Sequence, residues 1–288
     1  ADAAAEGVGA GGAQAGRRRA PLSLRDGGHT QFSHNIEAII ARLTGRMHDE
    51  VDDLLEEGEI ARVLALHDID PGAVADLIAG DGEFGQLVSG ELDVDRMDYL
   101  VRDAHHTGVP YGTIDTGRLI RELRFVDGEL VLGEGNVQTA ESLLVARALM
   151  NPVVYNHHVA RISKAMLRQA TERLLETEET TAETLRRMDD AALRVALRSC
   201  PETAAFATRL DTRSLYKRAI WAELQDVPDE LLDADHEARG EFERQIATRA
   251  GVETDAVIID VPDSPRMRES TSRVVVNGEV RTLGTQST

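Results

Sequence analysis

The stretch "ELDVDRMDYLVRDAHHTGVPYG", residues 91–112, decides how the rest of the chain reads. Asp95, Asp98 or Tyr99, Asp103 and His106 recur at three and four residues, which puts them on one face of a helix over about 92–106. Pro110 then punctuates the run. In so acidic a chain, a solvated helix face gives the same carboxylate pattern. Tyr99 and two adjacent histidines in the same stretch point instead to chemistry.

Working outward, "FSHNIEAIIARLTG" (32–45) has helical apolar spacing and stops at Gly45. Further helices are expected at roughly 48–67 and 71–79. "LRFVDGELVL", within 122–133, sets Asp-Gly between alternating segments and predicts a hairpin. "TAESLLVARALMNPVVYNHHVARISKAMLRQATERLLE" from Thr139 predicts a central helix kinked at Pro152. "LYKRAIWAEL" (215–224) alternates like a strand, "AVIIDVP" (256–262) reads as a short buried strand, and "RVVVNGEVRTL" (273–283) reads as two strands around Asn-Gly. The expected fold is mainly α, with a small β-hairpin and a C-terminal α/β appendage. Three segments are expected: a disordered or incomplete start over 1–21, a helical domain over 22–211 and the appendage over 212–288.

The chain has 288 residues, with 51 Asp and Glu against 32 Lys and Arg, for a formal charge of -19. Such a surface repels phosphate backbones and anionic lipid, so nucleic acid and membrane surfaces are not expected partners. The balance also resembles that of halophilic proteins, whose carboxylates stay hydrated in brine. One cysteine, Cys200, excludes an internal disulfide and a cysteine metal cluster. No apolar run approaches the ~20 residues that span a bilayer, and the start lacks a signal peptide's apolar region, so the expectation is cytoplasmic. Opening on Ala1 fits either removal of an initiator Met or a fragment.

Two further clusters carry candidate chemistry. In "LRDGGHTQFSH" (24–34), Asp26, His29 and His34 surround two glycines, and carboxylate with imidazole is a ligand set for Zn, Mn or Fe. Asp26 as a helix N-cap beside semi-buried histidines fits the same residues. In "RALMNPVVYNHH" (147–158), Arg147, Tyr155 and His158 lie near multiples of a helical turn. Arg suits phosphate and Tyr stacks on a sugar or base, while helix packing and surface ion pairs also account for each residue taken singly.

In order and spacing, "GHTQFSHNIE", "DVDRMDYLVRDAHHTGV" and "ESLLVARALMNPVVYNHH" resemble the HD-domain phosphohydrolases, in the deoxynucleoside triphosphate triphosphohydrolase branch. The resemblance covers most of 24–175, and "IIDVPDSPRMRES" (258–270) is similar to the tail of prokaryotic members. It implies an HD-domain helical fold and a divalent metal (Mg, Mn, Fe or Zn) held by an upstream histidine, a His-Asp pair and a later aspartate. The pair falls on Arg25-Asp26 and the later aspartate on Asp95. By the same matching, His29, His34 and His48 line the phosphates and serve catalysis, and Arg147 and His158 contact phosphate. Tyr99, Asp103 and Tyr155 surround the sugar. A nucleotide ligand and a homo-oligomer are implied as well.

The sequence departs from that pattern at two places. Arg25 stands where the pair has histidine, and a guanidinium has no lone pair to offer a metal; no histidine precedes His29. His67-Asp68 does not replace the pair, because it lacks the following Gly-His and reads as a helix end before Asp70-Pro71-Gly72. The expected function is metal-dependent hydrolysis of (deoxy)nucleoside triphosphates. The alternatives are a degenerate relative that binds nucleotide in a regulatory role without hydrolysis, and a helical interaction protein.

Overall fold

The computed structural model describes residues 24–81, 84–261 and 272–285, leaving out the side chains of Arg25, Asp26 and Thr285. The expected incomplete start over 1–21, and the tail "IIDVPDSPRMRES" beyond Val261, lie outside the described residues. The described chain is mostly helical with one four-stranded sheet. It forms two compact units: one from Ala1–His29, Arg46–Asn156 and Met267–Thr288 so far as these are described, the other from Thr30–Gly45 and His157–Arg266. Helix α1 (His34–Thr44) belongs to the second unit.

The first unit begins with α2 (Asp52–Leu55), α3 (Gly58–Leu66) and α4 (Pro71–Ala79) around Val51, Leu55, Leu64, Val74 and Ile78. The helix expected over 48–67 is therefore two helices, parted at Gly58, whose φ of 74° lies outside the right-handed helical region. His67 caps the end of α3, as the helix-end reading of His67-Asp68 anticipates. Asp70 then accepts the Gly72 amide and Pro71 opens α4 at the position where a missing N–H costs nothing.

After α5 (Gly85–Val88) comes α6 (Val94–Thr107), started by the Asp93 side chain accepting the Arg96 amide and stopped by left-handed Gly108. Its inner face buries Val94, Met97, Leu100 and Ala104. Helix α7 (Thr116–Glu122) leads into strands β1 (Leu123–Val126) and β2 (Glu129–Leu132), and α8 (Val137–Met150) follows. Strands β3 (Arg273–Val276) and β4 (Glu279–Thr282) form the second hairpin. Asp127-Gly128 and Asn277-Gly278 all have positive φ, the backbone that tight two-residue hairpin turns require. β2 and β3 pair in parallel, Val131 opposite Arg273 and Leu132 opposite Val274, giving the order β1-β2-β3-β4. Leu100, Leu119, Leu132, Leu143, Met150 and Val274 form the core beneath that sheet. The Glu91 carboxylate accepts both the Ser272 amide and hydroxyl, at 2.8 and 2.7 Å, and so fastens the second hairpin.

The second unit packs α1 with α9 (His158–Glu176), α10 (Ala182–Arg186), α11 (Asp190–Ser199) and α12 (Ala204–Asp211) around Ile36, Ile39, Met166, Leu174, Leu185 and Leu193. Helices α13 (Asp229–Leu232) and α14 (His236–Ala250) follow. Two expected strands are corrected here. "LYKRAIWAEL" forms no strand, and Ile220 and Trp221 are 83% and 67% exposed, so its alternation has no face to bury against. In "AVIIDVP" a 3-10 turn over Thr254–Ala256 precedes residues without a ladder, whose partners are side chains: Glu243 accepts the Ile259 amide, and Arg161 donates to Asp260.

The expected central helix is also interrupted. α8 ends at Met150 and a π-helical turn spans Asn151–Tyr155, with the Asn156 amide reaching the Asn151 carbonyl at 2.7 Å. Pro152 has no N–H to continue the α ladder, and the wider turn absorbs that loss.

Candidate active site

Helix α6 carries Asp95, Tyr99 and Asp103 at successive steps of four, each half-buried. The π turn brings Tyr155 against them. Its hydroxyl donates to Asp103 Oδ2 at 3.0 Å, and its ring meets that of Tyr99 edge to face, with centroids 5.8 Å apart. Burial first, and the bond to Asp103 second, push the Tyr155 phenol well above the usual tyrosine range. Arg102 lies 3.8 Å from the other Asp103 oxygen and donates to Asp98 at 3.0 Å. Sequence reasoning passed over Arg102, although its step of four from Asp98 signals that ion pair.

A second cluster in the same unit pairs His29 and His48. The rings stack with centroids 4.6 Å apart and planes 8° from parallel, both half-buried. Gly28 makes this approach possible: a Cβ there would stand 2.0 Å from the His48 carbonyl oxygen and 2.4 Å from Val51 Cγ1. Only a residue without a side chain lets the turn Arg25–Gly28 lie against that backbone. The imidazole nitrogens are donors that fit Zn, Mn or Fe. Asp26, expected as a ligand, has its side chain outside the described residues.

The remaining expected residues are placed as follows. Arg147 is exposed in the last turn of α8, without an ion-pair partner among the described residues. The spacing that aligned it with Tyr155 and His158 assumed one continuous helix, and the π turn changes the phase after Met150. In the second unit, His34 opens α1 and is paired with Glu37 at 2.6 Å, while His158 opens α9 with its ring 4.4 Å from that of His157.

A family model described as the HD-associated region matches residues 114–288. The chain belongs to the HD-associated family of HD-domain proteins. Among curated relatives of this HD-associated protein, the uncharacterized protein MJ1154 of Methanocaldococcus jannaschii is 30% identical over 278 residues, 92% of the chain and 57% of that relative. The uncharacterized protein YwfO of Bacillus subtilis is 34% identical over 155 residues, 50% of the chain and 34% of that relative. The chain thus spans between about a third and little more than half of the curated relatives it matches. In fold it is similar to a phosphohydrolase from Bacteroides thetaiotaomicron, with TM-score 0.69 and 22% identity over 99% of this chain and 78% of that one. A hypothetical protein from Aquifex aeolicus gives TM-score 0.72 and 21% identity, over 99% of this chain and 75% of that one. Among the described residues, no helix is long and apolar enough to cross a membrane.

Proposed function

We propose that the HD-associated protein is a metal-dependent phosphohydrolase that acts on (deoxy)nucleoside triphosphates. The observation that carries this reading is the Tyr155–Asp103 hydrogen bond with the Tyr99 ring beside it. A carboxylate has lone pairs left after accepting one phenol, so Asp103 can also accept a sugar hydroxyl, while the two rings offer apolar faces to the sugar. A site built to pair a hydroxyl discriminates strongly against a ligand that cannot match it. Arg147, exposed and without an ion-pair partner among the described residues, offers a planar fork for phosphate, with His158 in the same role.

In this reading Asp26 and Asp95 hold the divalent metal, whose identity is Mg, Mn, Fe or Zn. When bound, the metal acidifies a water and offsets charge on the phosphoryl group. His29, His34 and His48 are assigned to the phosphate side, where an imidazole near its own pKa moves a proton at the leaving oxygen. Assembly into a homo-oligomer belongs to the same reading.

The test is incubation of the purified chain with each deoxynucleoside and ribonucleoside triphosphate under each of the four metals, with products separated by ion exchange. Metal-dependent release of phosphate, pyrophosphate or triphosphate supports the reading. Nucleotide binding without turnover under every metal would replace it with the regulatory one, and a melting temperature that no nucleotide raises would overturn both.

A further inference from the structure

The second unit contains a cleft of about 350 Å³ that none of the assignments above uses, formed by α9, α14 and the segment 254–260. That volume is in the range of small-molecule sites, ~300–1,000 Å³. Its floor has apolar patches at Ile258 and Ile259, and its walls are rich in charge of both signs.

The decisive feature is which of those charges are already paired. Glu172 takes both its oxygens to Arg42 at 2.5 and 2.6 Å. Asp255 accepts from Arg173, and Asp260 accepts from Arg161. Glu243 accepts the Ile259 amide; burial raises its carboxyl pKa, while that bond and the nearby Arg239, His236 and Arg244 act the other way. Glu176 and Glu237 are exposed to water.

On the cationic side, Arg168 and Arg239 keep donors without partners among the described residues, Arg239 being partly engaged by Ala234 and by the charge of Glu243. Arg168 is half-buried on the α9 wall, with no hydrogen-bond or ion-pair partner among the described residues. Arg239 on the α14 wall donates one Nη to the Ala234 carbonyl, while its buried Nε has no acceptor among the described residues. A buried donor without an acceptor is destabilising, and more so when it is charged. Gly240 adds a third observation. Glycine inside a helix is less favourable than alanine, and a Cβ there would meet only Arg244 Nη1, at 3.7 Å. The wall is therefore low at this point without any packing need.

We propose that this cleft is a second ligand site, which takes a small phosphate-bearing anion between Arg168 and Arg239. Guanidinium forks match phosphate oxygens in pairs, and the isoleucines of the floor suit an uncharged body carried by the phosphate. The proposal does not depend on the hydrolase reading, since no residue assigned to that function lines the cleft.

The test is calorimetric titration of the full chain with inorganic phosphate and with glycerol phosphate, at fixed ionic strength. Three variants are compared with the parent: Arg168→Gln/Arg239→Gln, Arg168→Lys and Arg147→Gln. The double glutamine variant should lose one class of sites, with affinity down about tenfold or more, while its melting temperature shows that it folds. Arg168→Lys should weaken binding less, since it keeps the charge and loses only the fork. Arg147→Gln should leave this class intact. Unchanged binding in the double variant, loss of this class in Arg147→Gln, or no binding by the parent would overturn the proposal.

Discussion

The Tyr155 hydroxyl donates to Asp103 Oδ2 at 3.0 Å, joining the end of a π-helical turn to the middle of α6. One bond thus orients both a phenol and a carboxylate beside the Tyr99 ring. Removing the hydroxyl with Tyr155→Phe should destabilise the chain by about 0.5–1.5 kcal/mol, the net value of one such bond. It should also weaken discrimination between nucleotides that differ in their sugar hydroxyls. Urea denaturation and substrate competition measure the two effects; an unchanged ratio of deoxy to ribo substrates would separate Asp103 from sugar recognition.

The same phenol should ionise late. Burial, then the bond to Asp103, raises its pKa above the unfolded value near 10. A raised pKa means that this stabilisation is complete below the unfolded value and is lost as pH rises through the folded one. Ultraviolet titration should therefore show a step above pH ~10 that Tyr155→Phe removes. An alkaline titration identical in parent and variant contradicts the assignment.

Gly28→Ala should part the His29–His48 pair. The new methyl would collide with the His48 carbonyl and with Val51, and overpacking of this kind costs about 1–3 kcal/mol. Thermal melting gives the cost, and histidine NMR shifts report the loss of the stack. A variant as stable as its parent, with unchanged ring shifts, means that the turn lies elsewhere in solution.

His48→Ala should lower turnover by about 10²-fold or more, the contribution of a positioned acid or base, with little change in nucleotide affinity. Single-turnover assays at saturating substrate, alongside equilibrium binding, make that separation. An equal loss in both quantities would assign His48 to binding alone.

A formal charge of -19 implies self-repulsion in the folded state that salt relieves. Between ~0.1 M and ~1 M salt the screening length falls from ~10 Å to ~3 Å, so the melting temperature should climb. A flat or falling series in sodium chloride would mean that acidic repulsion does not limit stability.

Much of the fold is legible in local sequence. Asp70-Pro71 and Gly80 bracket α4 because an N-cap, a proline in the first turn and a left-handed glycine each act within a few residues. Asp127-Gly128 and Asn277-Gly278 predict their hairpins for the same reason. Of the candidate site, the common face of Asp95, Tyr99 and Asp103 follows from helical spacing alone. What misleads is periodicity without a partner: "LYKRAIWAEL" alternates, yet Trp221 and Ile220 stay exposed.

By itself the sequence determined the helix and hairpin boundaries that local backbone chemistry specifies, and the acidic surface. Only tertiary structure decided that β2 and β3 pair in parallel across some 140 residues of chain, Leu132 against Val274. It alone decided that a π turn delivers Tyr155 to Asp103 and that Gly28 admits His29 to His48. The physical reason is range. Caps and turns act through neighbours along the chain, whereas strand pairing and ring contacts depend on packing between segments whose separation in sequence carries no local signal.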